Sequence, residues 1–257
     1  MNATLITGAS SGIGAAFARK LARRGRNVLL VARSEDKLIA LCNELGRLSG
    51  IRAQYVAMDI TGPGAADRLF EETNKRELEI EMLINNAGFG SMGDFVRLDL
   101  TRELEIIDLN VRALVELTYR FLAPMRDRKQ GTIINVASTA AFQAVPFMAT
   151  YAATKAFVLS FSEALAEENH PYGIHVLALC PGVTETNFFE VAKIDRPPMR
   201  IVQTAEEVVD AALRGLKRHR RTVVSGWLNW FTMECERFLP RVLVTKVAGK
   251  ALRSRFE

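Results

Sequence analysis

The sequence predicts an α/β protein: a doubly wound, seven-stranded parallel sheet with helices on both faces, in one domain. Three observations carry that expectation. Short apolar, β-branched runs alternate with longer segments of helical periodicity. A glycine-rich turn separates the first of these runs from the first helical segment. No repeat, low-complexity stretch or linker interrupts the order before the tail.

Taken in order, "TLIT" reads as the first strand and Gly12 to Arg24 as the first helix. "NVLLVA" is the second strand, followed by a helix from Ser34 to Leu48. "RAQYVAM" precedes a helix from Ala65 to Lys75, and "MLIN" is the fourth strand. A long helix around Leu104 to Arg126 leads into "GTIINVAS", and a helix from about Thr150 to Glu168 leads into "IHVLALCPG". Ala205 to Arg218 and "RTVVSG" complete the pattern. A loop from Thr184 to Gln203 stands before that last helix, so the domain is expected over residues 1–226 and an extension over 227–257.

The chain has 257 residues, 49% apolar and 25% charged, enough for a large core. Cys42, Cys180 and Cys235 are odd in number and far apart. That pattern suggests neither a disulfide framework nor a metal site, and it favours a reducing, cytoplasmic compartment. "MNATLITGAS" enters a strand directly, with no room for a signal peptide. The longest uncharged run, Gln130 to Thr154, contains Gly131, Asn135, Gln143 and Pro146, and reads as strand, loop and helix start rather than a membrane span. The net charge of +5 is concentrated late: residues 214–257 carry eleven Lys/Arg against Glu234, Glu236 and Glu257. No nucleic-acid recognition motif accompanies that charge.

The first turn, "TGASSGIG", places Gly8, Gly12 and Gly14 between strand and helix. Glycines there let backbone N–H groups and a helix amino terminus approach a pyrophosphate, as in Rossmann-type folds. The spacing is GxxxGxG rather than GxGxxG. The second strand should tell NAD from NADP, because an acidic residue at its end would take the ribose 2′-hydroxyl and an arginine a 2′-phosphate. Here Arg33 follows Ala32, while Glu35 and Asp36 read as first-turn helix residues, so NADP(H) is expected.

"YAATK" sets Tyr151 and Lys155 four positions apart, on one helix face. Alone, such a pair is an ordinary helix face. Ser138 ends the fifth strand, at the edge where open α/β sheets hold their ligands. Together with "TGASSGIG", "NNAG" at 85–88, Asn110 and "PGVTET" at 181–186, these residues resemble the short-chain dehydrogenase/reductase family in its form of about 250 residues, over residues 3 to about 226.

The resemblance implies an NADP(H)-dependent oxidoreductase that moves a hydride between a nicotinamide and a carbonyl or secondary alcohol. Gly8, Ser10, Ser11, Gly12, Ile13 and Gly14 would cradle the phosphates. Asp59 would meet the adenine, and Asn85, Ala87 and Gly88 would line the ribose and support the sheet. Pro181, Gly182, Val183, Thr184 and Thr186 would lie on the nicotinamide side. Tyr151 would be the proton donor, Ser138 a hydrogen-bond donor to the same oxygen, and Asn110 the holder of a relay water behind Lys155. A phenol of pKa about 10 exchanges its proton poorly near neutrality. Lowering it by about three units takes roughly 4 kcal/mol, which one ammonium about 4 Å away supplies at an effective dielectric near 20. Members of the family often pair through the helices beginning near Asn110 and Thr150, so a homodimer or homotetramer is expected.

Phe89, the stretch Phe142 to Phe147, and Phe188, Phe189, Val191 and Met199 predict an apolar substrate wall. The resemblance implies a lid in that loop, with Pro197 and Pro198 either fixing its far end or simply packing. A hydrophobic ketone, an acyl chain or a steroid-like substrate suits it. In the tail, Trp227, Trp230, Phe231 and Phe238 form one helical stripe. Val244, Val247, Ala248 and Ala251 form an apolar face opposite Lys246, Lys250 and Arg253, with Arg255 intruding. A peripheral membrane contact, a cover for a subunit or substrate, and a solvated end all fit that pattern. A catalytically silent dinucleotide-binding regulator is the alternative function; intact Ser138, Tyr151 and Lys155 argue against it.

Overall fold

In the computed structural model, residues 1–48, 50–186 and 202–253 are described. Seven strands run β1 (Asn2–Thr7), β2 (Val28–Ala32), β3 (Ala53–Ala57), β4 (Glu79–Asn85), β5 (Gly131–Val136), β6 (Ile174–Cys180) and β7 (Thr222–Val224). They form one sheet in the order β3-β2-β1-β4-β5-β6-β7, with every pairing parallel. The order reverses at β1, so a crevice opens between the carboxyl ends of β1 and β4, where such sheets bind ligands.

Both faces are buried, which is why the strands read as continuous apolar runs. Neighbouring residues point to opposite layers. Ile6, Leu30, Ile84, Ile134 and Leu177 pack under α1 (Gly12–Ala22), α2 (Glu35–Leu45) and a late helix, α7 (Ala205–Lys217). Leu5, Leu29, Leu83, Ile133 and Val176 pack under α3 (Ala65–Lys75), α5 (Leu114–Asp127) and α6 (Ala149–Asn169). The helix entries carry local signals: Asp99 accepts from the Thr101 amide at the start of α4 (Leu100–Ile107), and Thr204 and Glu207 cap each other's backbone N–H groups at α7.

The helix expected from Leu104 to Arg126 starts earlier and is interrupted. Between α4 and α5 the chain makes a π-helical segment, Asp108–Ala113. The wider turn shifts the register of side chains at its centre, and Asn110 becomes buried there.

A buried polar chain ties the two central strands to the helices. Asn85 Nδ2 donates to Asn135 Oδ1 (2.9 Å) and Thr118 Oγ1 (3.0 Å). Asn135 Nδ2 donates to Ser162 Oγ (2.9 Å), which donates to the Val158 carbonyl (2.6 Å). Asn85 was expected along the ribose; its side chain instead turns into this layer, because the strand alternation that sends Ile84 to one face sends Asn85 to the other. It serves the supporting half of its expected role.

The tail forms α8 (Trp227–Glu236) and α9 (Arg241–Arg253). Trp227, Trp230 and Phe231 do lie outward on α8, but Phe238 falls beyond its end. On α9 the inward face is Val244, Thr245, Ala248, Gly249 and Leu252, one step round from the expected face, leaving Val247 and Ala251 exposed. Gly249 decides the register, since its missing side chain lets the helix approach the chain at Pro146. Phe188, Phe189, Val191, Pro197, Pro198, Met199 and Arg255 lie outside the described residues.

An Asn85→Ala variant strands two buried partners and is expected to cost about 1–3 kcal/mol. At roughly 2–4 °C per kcal/mol for a chain of this size, thermal melts should fall by several degrees while nucleotide affinity of the folded protein stays unchanged.

Candidate active site

The crevice begins at the glycine turn. Gly8 and Gly12 have φ of +63° and +53°, conformations in which a side chain would be strained. A Cβ on Gly14 would stand 2.4 Å from the Gly8 carbonyl oxygen, and one on Gly12 would stand 2.9 Å from Thr186 Cγ2. The turn is therefore closed on itself and touches the segment after β6. Ser11 sits at the amino end of α1 in extended conformation without capping it, and Ser10 lies beside it, half-buried. Ile13 packs into the core beneath.

The residue pair that fixes this turn to β4 escaped the sequence reading. Asn86 Nδ2 donates to the carbonyls of Thr7 (2.9 Å) and Gly8 (3.2 Å), while Thr7 Oγ1 accepts from the amides of Asn86 (3.0 Å) and Ala87 (3.1 Å). The doubled asparagine of "NNAG" held the signal: the two side chains serve opposite sides of the chain.

At the far end of β2, Arg33 is exposed. Asp59 Oδ1 accepts from the Thr61 amide (2.9 Å) and hydroxyl (2.7 Å), and these bonds, with the Arg33 charge a smaller contributor, hold its carboxyl below the usual range. The Tyr55 hydroxyl donates to Glu35 (3.3 Å), so the acid nearest Arg33 in sequence is engaged with β3.

Past β5, Ser138 Oγ accepts from the Ala140 amide (3.1 Å) and is hydrogen-bonded to the Tyr151 phenol. The Thr139 amide donates to the Pro181 carbonyl (2.9 Å), drawing the ends of β5 and β6 together. Lys155 Nζ donates to the Val136 carbonyl (2.8 Å), the last residue of β5. Asn110 Nδ2 donates to the Phe89 carbonyl and to Thr154 Oγ1 (both 3.0 Å), and its Oδ1 accepts from the Phe89 amide (3.2 Å). Thr154 Oγ1 donates in turn to the Tyr151 carbonyl (2.7 Å). A Cβ on Gly88 would lie 2.8 Å from Asn110 Oδ1 and 3.4 Å from Lys155 Nζ, so only glycine admits both groups. Ser138, Tyr151, Lys155 and Asn110 thus meet around one crevice wall, although 45 positions separate Asn110 from Lys155.

The electrostatics differ from the expectation. Lys155 was expected to lower the Tyr151 pKa. Burial instead pushes Tyr151 up to about 12, against a smaller downward pull from Ser138. Burial also pulls Lys155 down to about 8. The ammonium lies 5.8 Å from the Tyr151 ring centroid and is drawn to Val136, so desolvation of both groups outweighs their attraction.

Near Gly182, a Cβ would collide with the Asn229 side chain of α8 at 2.3 Å. Val183 accepts from the Gln203 amide (3.0 Å), and the Thr184 hydroxyl donates to the Gly182 carbonyl (3.0 Å). Of the expected wall, Phe89 is buried under the Arg102 guanidinium at 4.0 Å, and Phe142 packs into the core beside Leu114 and Val158. Phe147 has φ of +65°, strain retained in the segment leading to Tyr151.

The model of the short chain dehydrogenase family matches residues 2–196. The chain belongs to the short-chain dehydrogenases. It is an oxidoreductase of that family. It is 31% identical over 260 residues to the very-long-chain 3-oxoacyl-CoA reductase of Mus musculus, covering 98% of this chain and 81% of the relative. It is 30% identical over 221 residues to a ketoacyl reductase of Nostoc sp., covering 86% and 77%. Among solved structures, a short-chain dehydrogenase from Sphingobium yanoikuyae in complex with NADPH is 35% identical, with a TM-score of 0.83 and coverage of 92% and 94%. The expected seven-stranded parallel sheet with helices on both faces is therefore met.

The Lys155 pKa near 8 lies below its unfolded value of 10.5. The unfolded chain therefore binds the extra proton between those values, and stability should rise with pH across that window. Below it the full cost of burying the ammonium is present, about 3 kcal/mol at 1.36 kcal/mol per pKa unit. A Lys155→Met variant is expected to melt at a higher temperature than the parent at pH 7, with the gap narrowing as pH rises from about 8 toward 10.5.

Proposed function

We propose that this protein is an NADP(H)-dependent reductase or dehydrogenase acting on the carbonyl or secondary alcohol of an apolar substrate. The observation that carries the reading is the meeting of Ser138, Tyr151, Lys155 and Asn110 beside a glycine turn that no side chain can occupy.

The residues present fit the dinucleotide. Gly8, Gly12 and Gly14 leave backbone where a Cβ would intrude, and the uncapped amino end of α1 with Ser10, Ser11 and Ile13 offers N–H groups to phosphate. Arg33 would take the 2′-phosphate, with Asp59, Ala87 and Gly88 along the adenosine and Pro181, Gly182, Val183, Thr184 and Thr186 toward the nicotinamide. When bound, NADP(H) supplies the hydride.

Tyr151 then holds the proton for the carbonyl oxygen, and burial keeps the phenol protonated through neutrality. Ser138 shares that oxygen as a hydrogen-bond donor. Lys155 contributes positive charge beneath the phenol, and Asn110 fixes both the Phe89 backbone and, through Thr154, the first turn of α6. A ketoacyl or long-chain oxoacyl substrate is favoured by the names of the relatives. Pairing with a second copy is supported by an apolar groove lined by Ile107, Val111, Ala149, Ala153 and Phe157. Three free cysteines fit a cytoplasmic setting.

A Tyr151→Phe variant is expected to bind NADPH as the parent does and to lose turnover by about 10²–10⁴-fold in a ketone assay followed by NADPH absorbance. Turnover near the parent's level would overturn the assignment. Arg33→Asp should move the NADPH-over-NADH preference by about tenfold or more, the worth of a charged hydrogen bond.

A further inference from the structure

Each of the two tail helices touches a segment of the candidate site. Asn229 on α8 lies against Gly182, and its Nδ2 donates to the Ser225 carbonyl (2.8 Å). On α9, Gly249 is buried, and a Cβ there would stand 3.3 Å from Pro146 Cγ, in the segment that precedes Tyr151. With their inner faces anchored, the outer faces are left apolar: Trp227 is 77% exposed, Phe238 86%, Val242 66% and Val247 62%. Trp230, Phe231, Leu239 and Leu243 are exposed beside them.

This apolar surface is studded with cations. Arg241, Lys246, Lys250 and Arg253 are exposed among its apolar residues, while Glu234 is paired to Arg237 at 3.2 Å. Two tryptophans, apolar side chains and interleaved Lys/Arg are the composition of a surface that enters a headgroup layer, where rings and aliphatic groups reach the acyl boundary and cations meet lipid phosphate. A second copy is a poor occupant, because a two-fold contact sets the patch against itself and its cations face each other.

We infer that α8 and α9 form a docking surface for an anionic lipid bilayer, setting the mouth of the site toward the membrane. The docking itself is independent of the proposed catalytic reading; only its purpose, delivery of an apolar substrate from the bilayer past Pro146, rests on it. No helix among the described residues is long and apolar enough to cross a membrane.

The chain has two tryptophans, and both lie in α8, so intrinsic fluorescence reports on this surface directly. The full chain is mixed with vesicles of phosphatidylcholine alone or of phosphatidylcholine with phosphatidylglycerol. The expected result is a blue shift and co-sedimentation with the anionic vesicles, weaker with the neutral ones. Reversing two cations, Lys246→Glu with Lys250→Glu, should lower the anionic partition by about tenfold or more. Val242→Ser with Val247→Ser should weaken binding to both vesicle types.

Turnover of a short, water-soluble ketone without vesicles should be unchanged in all these variants, so a failure of the catalytic reading cannot be mistaken for a failure of docking. Recovery of the parent protein in the supernatant with unshifted emission overturns the inference. Concentration-dependent self-association, lost in the valine variants and without vesicle binding, also overturns it and assigns the face to a second copy.

Discussion

Most of the site's architecture answers to one constraint: an ammonium group, Lys155 Nζ, held in the protein interior against the last carbonyl of β5. Such a group is expensive to bury, and its surroundings must leave room without supplying a clash. Gly88 leaves that room, and Asn110 closes the space next to it. Asn110 reaches this position because the helix that carries it opens into a π turn. A regular α-helical register would rotate the amide away from the Phe89 backbone and Thr154.

The surrounding layer makes the arrangement rigid. The chain of amides and hydroxyls from Thr118 through Asn85 and Asn135 to Ser162 holds β4, β5, α5 and α6 in register. Thr7 and Asn86 do the same for the glycine turn. Buried polar groups of this kind are worth keeping only when nearly all are satisfied, and then they specify one geometry. The nucleotide edge and the Tyr151 edge are thus fixed by separate networks that meet at β4, where Asn85 and Asn86 are neighbours in sequence.

Much of this is legible in the sequence. Seven strands and the burial of both faces follow from apolar runs that alternate with helical periods, a signal that each element repeats. The residues of the Tyr151 wall were legible as types in order along the chain. Less visible were features set by distance in space. The π turn has no mark in one sequence. The Asn85 and Asn86 roles depend on which way each side chain leaves the strand. The α9 face turned by one step because a glycine, neutral in any hydrophobic count, lets the helix come close to Pro146. The upward direction of the Tyr151 shift is not visible to a pairwise Coulomb argument, which omits the desolvation of both groups.

The central claim is that the fold holds Lys155 as a buried, readily deprotonated amine beside a phenol that stays protonated. Direct titration of the Lys155 side chain by NMR, in protein carrying isotope-labelled lysine and with the resonance assigned by its loss in a Lys155 variant, tests it. The account predicts a midpoint near 8. A midpoint at the ordinary lysine value of about 10.5 would contradict it.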